Sequence, residues 1–491
     1  MQALTYMVGL GASAGGIPAM KAFFSEIHGK PDIAFVVVTH LSPNSESLLH
    51  EVISYFTNLP VELIKDGDLV RTGVVHVMPA GVSMSIKDGR LRLLKTDPSE
   101  REHKPIDVFF SALAIDQQER AVGIVLSGGD HDGTIGVSAI KDHGGITFAQ
   151  VADGKPPYQS EMPDSAIASG HVDFVLRPEQ IAQKLLELHE AAAAIGSGLR
   201  RGELNATVAE QKQLQSEIIQ LLRTHSGRNF TGYRSKPFFR RVARRMQVVM
   251  TLTPEAYLQL LRNDPSEVMA LFRDLLIGVT DFFREKDAFE ALSVHALPSL
   301  LANRGADDTL RLWVPGCAMG QEAYSLAILI CEYMDGLSGC PGVQIFATDI
   351  DSHALRVARA GRYPDSLLRN VSDERKARFF RRDGGSWVVG PEIRKMCIFS
   401  PHSLTSDPPF AKMDLVSCRN LLIYFGPELQ HRVIQTLHYA LKPGGFLFLG
   451  ISESLGKNEN LFTAIDKKQR LFQARELCLT SAPMEQFCVI A

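Results

Sequence analysis

The sequence predicts two doubly wound α/β domains with parallel sheets, the second prefaced by a helical block, and three observations carry that prediction. From Leu4 to Leu176, short apolar runs alternate with helical stretches and Gly, Pro and Asp turns, as in a parallel sheet covered by helices. A second alternation of the same kind begins at Leu310. The stretch between them is helical in pattern and charged, and a chain of 491 residues has room for roughly two to four domains, each with its own core.

Composition narrows the class. Hydrophobic residues at 45% and charged residues at 22% fit a folded globular chain and exclude a disordered or fibrous one. Lys+Arg (52) and Asp+Glu (55) nearly cancel, so the chain as a whole has no electrostatic reason to bind nucleic acid. Apolar runs such as Ile33–Val38 are too short to span a bilayer, and the N-terminal stretch lacks the basic and apolar regions of a signal peptide, so no membrane insertion is expected. The seven cysteines all lie from Cys317 onward, odd in number and without a Cys-x-x-Cys pair. That usage predicts a cytoplasmic protein and argues against structural zinc, and no metal is expected.

Taken in order, the first strand candidates are Met7–Gly9, Phe35–Val38, Val74–Val77, Gly123–Leu126, Ile146–Ala149 and Phe174–Leu176. A charged Ala-, Leu-, Glu- and Gln-rich stretch follows, with a break at Gly196-Ser197-Gly198. It reads as a linker that belongs to neither core. The resulting division is 1–180 for the first domain, 181–210 for a helical linker, 211–300 for a helical subdomain, 301–475 for the second α/β domain and 476–491 for a fraying tail. Strands of the second domain are expected at Leu310–Val314, Gln344–Thr348, Leu415–Ser417 and Phe446–Leu449.

The first strand runs into Gly9-Leu10-Gly11-Ala12-Ser13-Ala14-Gly15-Gly16. Gly9-x-Gly11-x-x-Ala14 has dinucleotide spacing, while Gly11-x-Ser13-x-Gly15 has that of a nucleophile elbow. A dinucleotide site wants an acidic residue at the tip of the next strand, and that strand ends in Val38-Thr39-His40 instead. His40 is placed to act as general base for Ser13, and Asp132, in the loop after the strand Gly123–Leu126, to orient His40. The order Ser, His, Asp differs from that of the α/β-hydrolases, which implies another fold with the same chemistry.

These motifs resemble the CheB protein-glutamate methylesterases. The likeness runs through Gly11–Gly16, Thr39-His40, Val77-Met78-Pro79, Pro105–Phe110, Ser127–Gly133 and Met162–Ile167. It implies Ser13 as nucleophile, His40 as base, Asp132 as its orienter and the Gly129 amide, at the family's methionine position, as an oxyanion donor. The implied substrate is a methyl-esterified chemoreceptor glutamate, with glutamine deamidation as a second activity. The family's receiver domain is not expected ahead of the first strand.

In the second α/β domain, Leu310–Val314 leads into Pro315-Gly316-Cys317-Ala318-Met319-Gly320-Gln321-Glu322, again strand, glycine-rich turn and helix. The next strand ends in Asp349, an acceptor for ribose hydroxyls. The loop lacks the full phosphate-binding turn, and Leu441–Leu449 reads as helix, turn and strand near the end of a methyltransferase sheet, so S-adenosylmethionine is the expected cofactor.

Residues 210–475 resemble the CheR protein-glutamate O-methyltransferases through Thr280–Glu285, Gly316–Ser325, Thr348–Asp351 and Asp414–Phe425. The resemblance implies that Thr280, Arg284, Gly316, Glu322, Asp349, Ser403, Leu404, Arg419 and Asn420 bind the cofactor. It also implies that Arg284 and Tyr424 face the incoming glutamyl carboxylate. Tyr363–Arg394 corresponds to a small β-subdomain. The basic run Arg234–Arg245, with six cations and no acid, is expected to dock an acidic receptor helix bundle, ahead of a solvated face or a nucleic-acid contact. The leading expectation is a bifunctional enzyme that adds and removes methyl groups on receptor glutamates. A signalling scaffold with one or both sites inactive is the alternative.

Overall fold

The structure, a computed structural model, describes residues 6–39, 48–95, 104–151, 159–194, 207–276, 278, 280–302, 304–337, 339–368, 370–383 and 386–476. The chain divides into two compact units at Val279 and Thr280, apart from two short stretches, 364–367 and 383–386, that group with the first unit. His40, the break at Gly196-Ser197-Gly198, Cys478, Cys488 and the expected tail beyond Glu476 lie outside the described residues. No helix among the described residues is long and apolar enough to cross a membrane.

The first unit opens with strands β1 (Tyr6–Ala12), β2 (Ile33–Thr39), β3 (Val61–Leu63), β4 (Val75–Val77), β5 (Val82–Lys87), β6 (Arg90–Lys95), β7 (Ala121–Val125), β8 (Ile146–Gln150) and β9 (Phe174–Leu176). Seven of them form a parallel sheet in the order β3-β4-β2-β1-β7-β8-β9, and β5 and β6 make a separate antiparallel hairpin. Its helices are α1 (Gly16–Phe24), α2 (Leu49–Ser54), α3 (Pro105–Gln117), α4 (Thr134–Asp142), α5 (Glu161–Ala168) and α6 (Pro178–Ala194). Alternation along β1 sorts the two layers. Tyr6, Val8 and Leu10 join a cluster with α1, α2 and α6, and Met7 joins the opposite cluster with α3, α4, α5 and the hairpin. On that second side Gly9 and Gly11 leave room for α3. A Cβ on Gly9 would come within 2.6 Å of Phe110 and one on Gly11 within 2.5 Å of Ile106, so these glycines serve helix–sheet packing.

Two expectations are corrected here. Residues 181–194 are no linker: within α6, Ile181, Ala182, Leu185, Leu188 and Ala192 are fully buried in the first core. Ile181, Leu185 and Leu188 each contribute roughly 1.5–3 kcal/mol of burial, which holds α6 to the sheet. The helical block also ends sooner than residue 300, because the division falls at Val279 and Thr280.

That block comprises α7 (Val208–Ser226), α8 (Ser235–Val248), α9 (Pro254–Asn263) and α10 (Pro265–Leu275). Thr207 and Glu210 form a capping box ahead of α7, and Thr253 and Asp264 cap α9 and α10. Ile218, Phe239, Val242, Met246, Leu261 and Leu271 fill its core.

The basic run is corrected as well. It lies on α8, where Arg244, with 1% of its side chain exposed, pairs with Asp173 and Asp274 and donates to Gly145 O at 3.0 Å. Arg241 donates to Lys141 O (2.9 Å) and Asp142 O (2.6 Å), Arg245 forks onto Glu267, and Gln247 bonds the Tyr6 hydroxyl. Burial would push the Asp173 carboxyl up, but Arg244 and Lys141 outweigh it and hold it well below the usual carboxylate range. Arg241 and Arg244 thus face inward and join α8 to the β8 and β9 region of the same unit. Only Arg234 and Lys236, at the start of the run, are exposed.

The second unit carries α11 (Lys286–His295), α12 (Leu297–Leu301), β10 (Thr309–Pro315), α13 (Gln321–Met334), β11 (Gly342–Asp349), α14 (Ser352–Ala360), β12 (Arg362–Pro364), α15 (Asp373–Phe379), β13 (Phe380–Asp383), β14 (Ser386–Val389), α16 (Pro391–Met396), β15 (Cys397–Pro401), β16 (Met413–Cys418), α17 (Pro427–Ala440), β17 (Leu441–Leu449), β18 (Phe462–Asp466) and β19 (Leu471–Ala474). The main sheet runs β15-β11-β10-β16-β17-β19-β18, parallel except for β19 against its two neighbours, and β12-β14-β13 form the small sheet. In both main sheets strand order reverses beside the first strand, at β1/β7 and at β10/β16. Open α/β sheets bind ligands outside the carboxyl ends of strands at such switch points.

Candidate active sites

In the first unit, Ser13 follows β1 immediately and opens the turn into α1. Its amide donates to Ser127 O at 2.9 Å, its carbonyl accepts from Gly16 N at 2.9 Å, and Gly15 takes the left-handed conformation (φ 74°) that the sharp reversal requires. Ser127 braces the turn, with its hydroxyl donating to Ala14 O at 2.8 Å and accepting from Gln159 N at 2.8 Å. The backbone N–H groups of Ala14 and Gly129 meet no acceptor among the described residues. They are the amide that follows Ser13 and one in the neighbouring strand-end loop.

Asp132 is fully buried. Its carboxylate accepts from Ile106 N (2.9 Å), Asp107 N (2.8 Å) and Gly133 N (2.9 Å), so three backbone donors fix its orientation. Asp130 steadies the same loop, accepting from Asp132 N at 2.6 Å and pairing with Lys104 at 3.3 Å. The register Ala12↔Thr39 and Gly11↔Val125 brings the carboxyl ends of β1, β2 and β7 side by side. Ser13 and Asp132 therefore lie at one sheet edge. His40 follows Thr39 in sequence and lies outside the described residues.

In the second unit the turn after β10 is shaped by Gly316 (φ 68°) and Gly320 (φ 93°). A Cβ on Gly316 would lie 2.9 Å from Leu421, and one on Gly320 2.9 Å from Ala358, so only glycine fits the turn on both counts. Asp349, at the tip of β11, accepts from Ala318 N (2.8 Å) and Asp351 N (2.9 Å), tying the glycine-rich turn to the strand end; burial raises its carboxyl above the usual range. Tyr363 donates to Met319 O at 2.5 Å and holds the other side of the turn.

Glu322, in the first turn of α13, accepts from Ser417 Oγ (2.7 Å) and Arg419 Nη1 (2.9 Å). Arg419, with 2% of its side chain exposed, also donates to Arg284 O (2.8 Å) and Glu285 (2.7 Å) and lies over the Phe289 and Phe448 rings. It is an internal strut that joins α13, the end of β16 and the segment carrying Arg284. Ser403 turns toward its own loop, bonding Thr405 Oγ1 at 3.2 Å and Asp407. Leu404 follows it in that loop. Tyr424 sits on the 3-10 turn Leu422–Tyr424, which begins two residues after Asn420, and Thr280 begins the segment that leads to Arg284.

Sequence reasoning passed over several residues that build these sites. Glu453 accepts from Asn420 N (3.0 Å), Leu422 N (2.7 Å) and Gly450 N (2.7 Å), clamping the loop after β16 to the end of β17. Ser417, Glu285 and Asp107 are the others. A lone buried acid whose partners are backbone amides leaves no spacing pattern; for Ser417, adjacency to Cys418-Arg419-Asn420 is the available signal.

The residues of the second site fit S-adenosylmethionine. The Glu322 and Asp349 carboxylates are acceptors suited to an ammonium group and ribose hydroxyls. Beside them the Gln321 amide is fully buried, with neither its nitrogen nor its oxygen hydrogen-bonded among the described residues.

Comparison with known proteins agrees with this division. Family models match in chain order: CheB methylesterase over residues 8–185, the CheR methyltransferase all-alpha domain over 216–276, and the CheR methyltransferase SAM binding domain over 278–471. A Rhodobacter capsulatus protein, named as an uncharacterized 104.1 kDa protein in the hypE 3' region, is 35% identical over 441 residues, covering 86% of this chain and 46% of that protein. The chain thus spans less than half the length of that relative. The putative methyltransferase Cher3 of Pseudomonas putida is 33% identical over 271 residues, 53% of this chain and 95% of its own. Chemotaxis protein methyltransferase 1 of Pseudomonas aeruginosa is 41% identical over 181 residues, 36% of this chain and 66% of its own. The crystal structure of the Thermotoga maritima CheB methylesterase catalytic domain shares 26% identity, with 38% of this chain and 98% of that chain covered and a TM-score of 0.34. The chain belongs to the CheB–CheR fusion family, a CheB methylesterase domain followed by a CheR methyltransferase with its all-alpha domain.

Proposed function

We propose that this chain is a cytoplasmic bifunctional enzyme that methylates glutamates of a chemoreceptor or receptor-like protein and hydrolyses the resulting methyl esters, with glutamine deamidation as a second reaction of the esterase. One observation carries the reading. Ser13 and the Gly316–Glu322 turn stand at the switch points of two separate sheets, each within the stretch matched by its own family model.

In the esterase, Ser13 Oγ attacks the ester carbonyl while His40 takes the hydroxyl proton and returns it to the departing methanol. Water then releases the acyl group by the same route. Asp132 orients His40, and the Ala14 and Gly129 amides stabilise the oxyanion. In the methyltransferase, bound S-adenosylmethionine supplies the methyl group to the glutamate oxygen. Glu322, Asp349 and Asn420 hold the cofactor, with Thr280, Gly316, Ser403 and Leu404 along its pocket. Arg419 positions Glu322. Arg284 and Tyr424 aim the carboxylate, which needs orientation in line with the breaking bond and no strong base.

Incubation with tritiated S-adenosylmethionine and receptor-enriched membranes tests the proposal. Label gain in the receptor followed by methanol release supports it, and neither signal appearing with fully folded protein contradicts it.

A further inference from the structure

Asp107 and Asp132 cap each other's helices. Asp132, ahead of α4, accepts from the Ile106 and Asp107 amides in the first turn of α3; Asp107, in that turn, accepts on Oδ1 from Ile135 N (2.9 Å) and Gly136 N (2.8 Å) in the first turn of α4. First-turn amides have no partner within their own helix, so each carboxyl satisfies two of them. One atom is left over. Asp107 Oδ2 is buried and bonds to nothing among the described residues.

We propose that Asp107 is a positioning residue of the esterase, locking the N-terminus of α4 to that of α3 so that the intervening loop presents Asp132 to the histidine base in one orientation. The inference rests on the reading of Asp132 as the orienter of His40. An ionised oxygen at the Oδ2 position would be desolvated and unpaired, whereas a proton there leaves Oδ1 to serve both amides. Burial, and next the charge of Asp132, push the Asp107 carboxyl up to about 8. The Gly136 amide, Lys104 just before α3 and the Ile135 amide oppose this without outweighing it, and Lys104 is itself paired with Asp130. The first turn of α4 (Thr134, Ile135, Gly136) is uncharged, as is Ser165 of α5, which bonds Thr134. Asp107 is therefore held neutral at pH 7, and its ionisation would set a second negative charge against Asp132 across the shared helix ends.

The test is methanol release by the full chain carrying Asp107→Ala or Asp107→Asn, with Ser13→Ala in the same series. Asp107→Ala should lower kcat by about 10–100-fold and change KM less than about threefold, because it disturbs the orientation of a catalytic group and leaves the ester-binding surface alone. Asp107→Asn keeps the carbonyl acceptor and should restore most of that loss. Wild type should also lose activity on the alkaline side as Asp107 ionises near pH 8, a limb that Asp107→Asn lacks and that a purely structural side chain would not create. Wild-type kcat in Asp107→Ala overturns the inference, as does an identical alkaline limb in wild type and Asp107→Asn. The second comparison decides the matter if Asp107→Ala fails to fold. Methanol release that survives Ser13→Ala overturns the esterase reading itself; release abolished by Ser13→Ala but untouched by both Asp107 variants overturns this inference alone.

Discussion

After β1 the chain turns through Ser13 into α1, and after β10 it turns through Gly316–Gly320 into α13, at the same point in the strand order of each sheet. The two turns share their backbone fastening and differ in what is built beside it. Around Ser13 the fastening is backbone to backbone and hydroxyl to backbone, and Asp132 is fixed by three amides. Around Gly316 the same kinds of bond recur, with Cys317 N on Thr348 O at 3.0 Å, the Ala318 amide on Asp349 and the Tyr363 hydroxyl on Met319 O, and a buried charge network is added at the start of α13, where Arg419 spans Glu322 and Glu285. The difference follows from what each turn must present. A nucleophilic hydroxyl needs a rigid elbow, whereas the second turn presents two carboxylates, Glu322 oriented by the Arg419 countercharge and Asp349 by the Ala318 and Asp351 amides. Substitutions should therefore act through chemistry in the first unit and through electrostatics and stability in the second.

The largest expected contrast is at the nucleophile. Ser13→Ala should reduce methanol release by roughly four to six orders of magnitude, the scale for loss of a triad member, and leave label transfer unchanged. Next comes Arg419→Ala, which strands two carboxylates against a buried pocket and should cost about 3–5 kcal/mol of stability. Thermal unfolding should show that loss in the second unit, while esterase activity persists. Asp349→Ala should weaken S-adenosylhomocysteine binding by about 1.5–3 kcal/mol, the scale for hydrogen bonds to a charged group. Calorimetry giving wild-type affinity would remove Asp349 from the pocket. The smallest effect is expected at Gly129→Ala, which keeps the N–H and whose Cβ meets only Glu161 Oε2 at 3.3 Å. Its methanol release should stay within about threefold of wild type, since the donor is the amide. Gly128→Ala supplies the contrast, because its Cβ would fall 2.1 Å from Met162 Sδ.

Both sheets and the two turns were legible in the sequence, because strand, glycine and helix succeed one another locally and the periods differ. Less visible were features whose partners are distant in sequence. Arg244 reads as part of a basic run that docks an acidic receptor bundle until Asp173 and Asp274 are folded against it. Helix α6 reads as a charged linker, yet Ile181, Leu185, Leu188 and Ala192 recur at helical spacing on one face, a signal that was available. Asp107 and Glu453 bind backbone amides of other segments, which no residue pattern reports. Short edge strands such as β3 and β15 gain their form from neighbours more than from their own composition.

The central claim is that two independent sites in one chain carry opposing reactions, and a crossed assay of Ser13→Ala and Asp349→Ala tests it most directly. Each variant is given tritiated S-adenosylmethionine and receptor-enriched membranes, and separately a pre-methylated receptor, with label gain and methanol release followed in both. The account predicts that Ser13→Ala loses methanol release alone and that Asp349→Ala, at limiting cofactor, lowers label gain alone, by roughly 10–150-fold. A fall in both signals in either folded variant, or in neither, would contradict it.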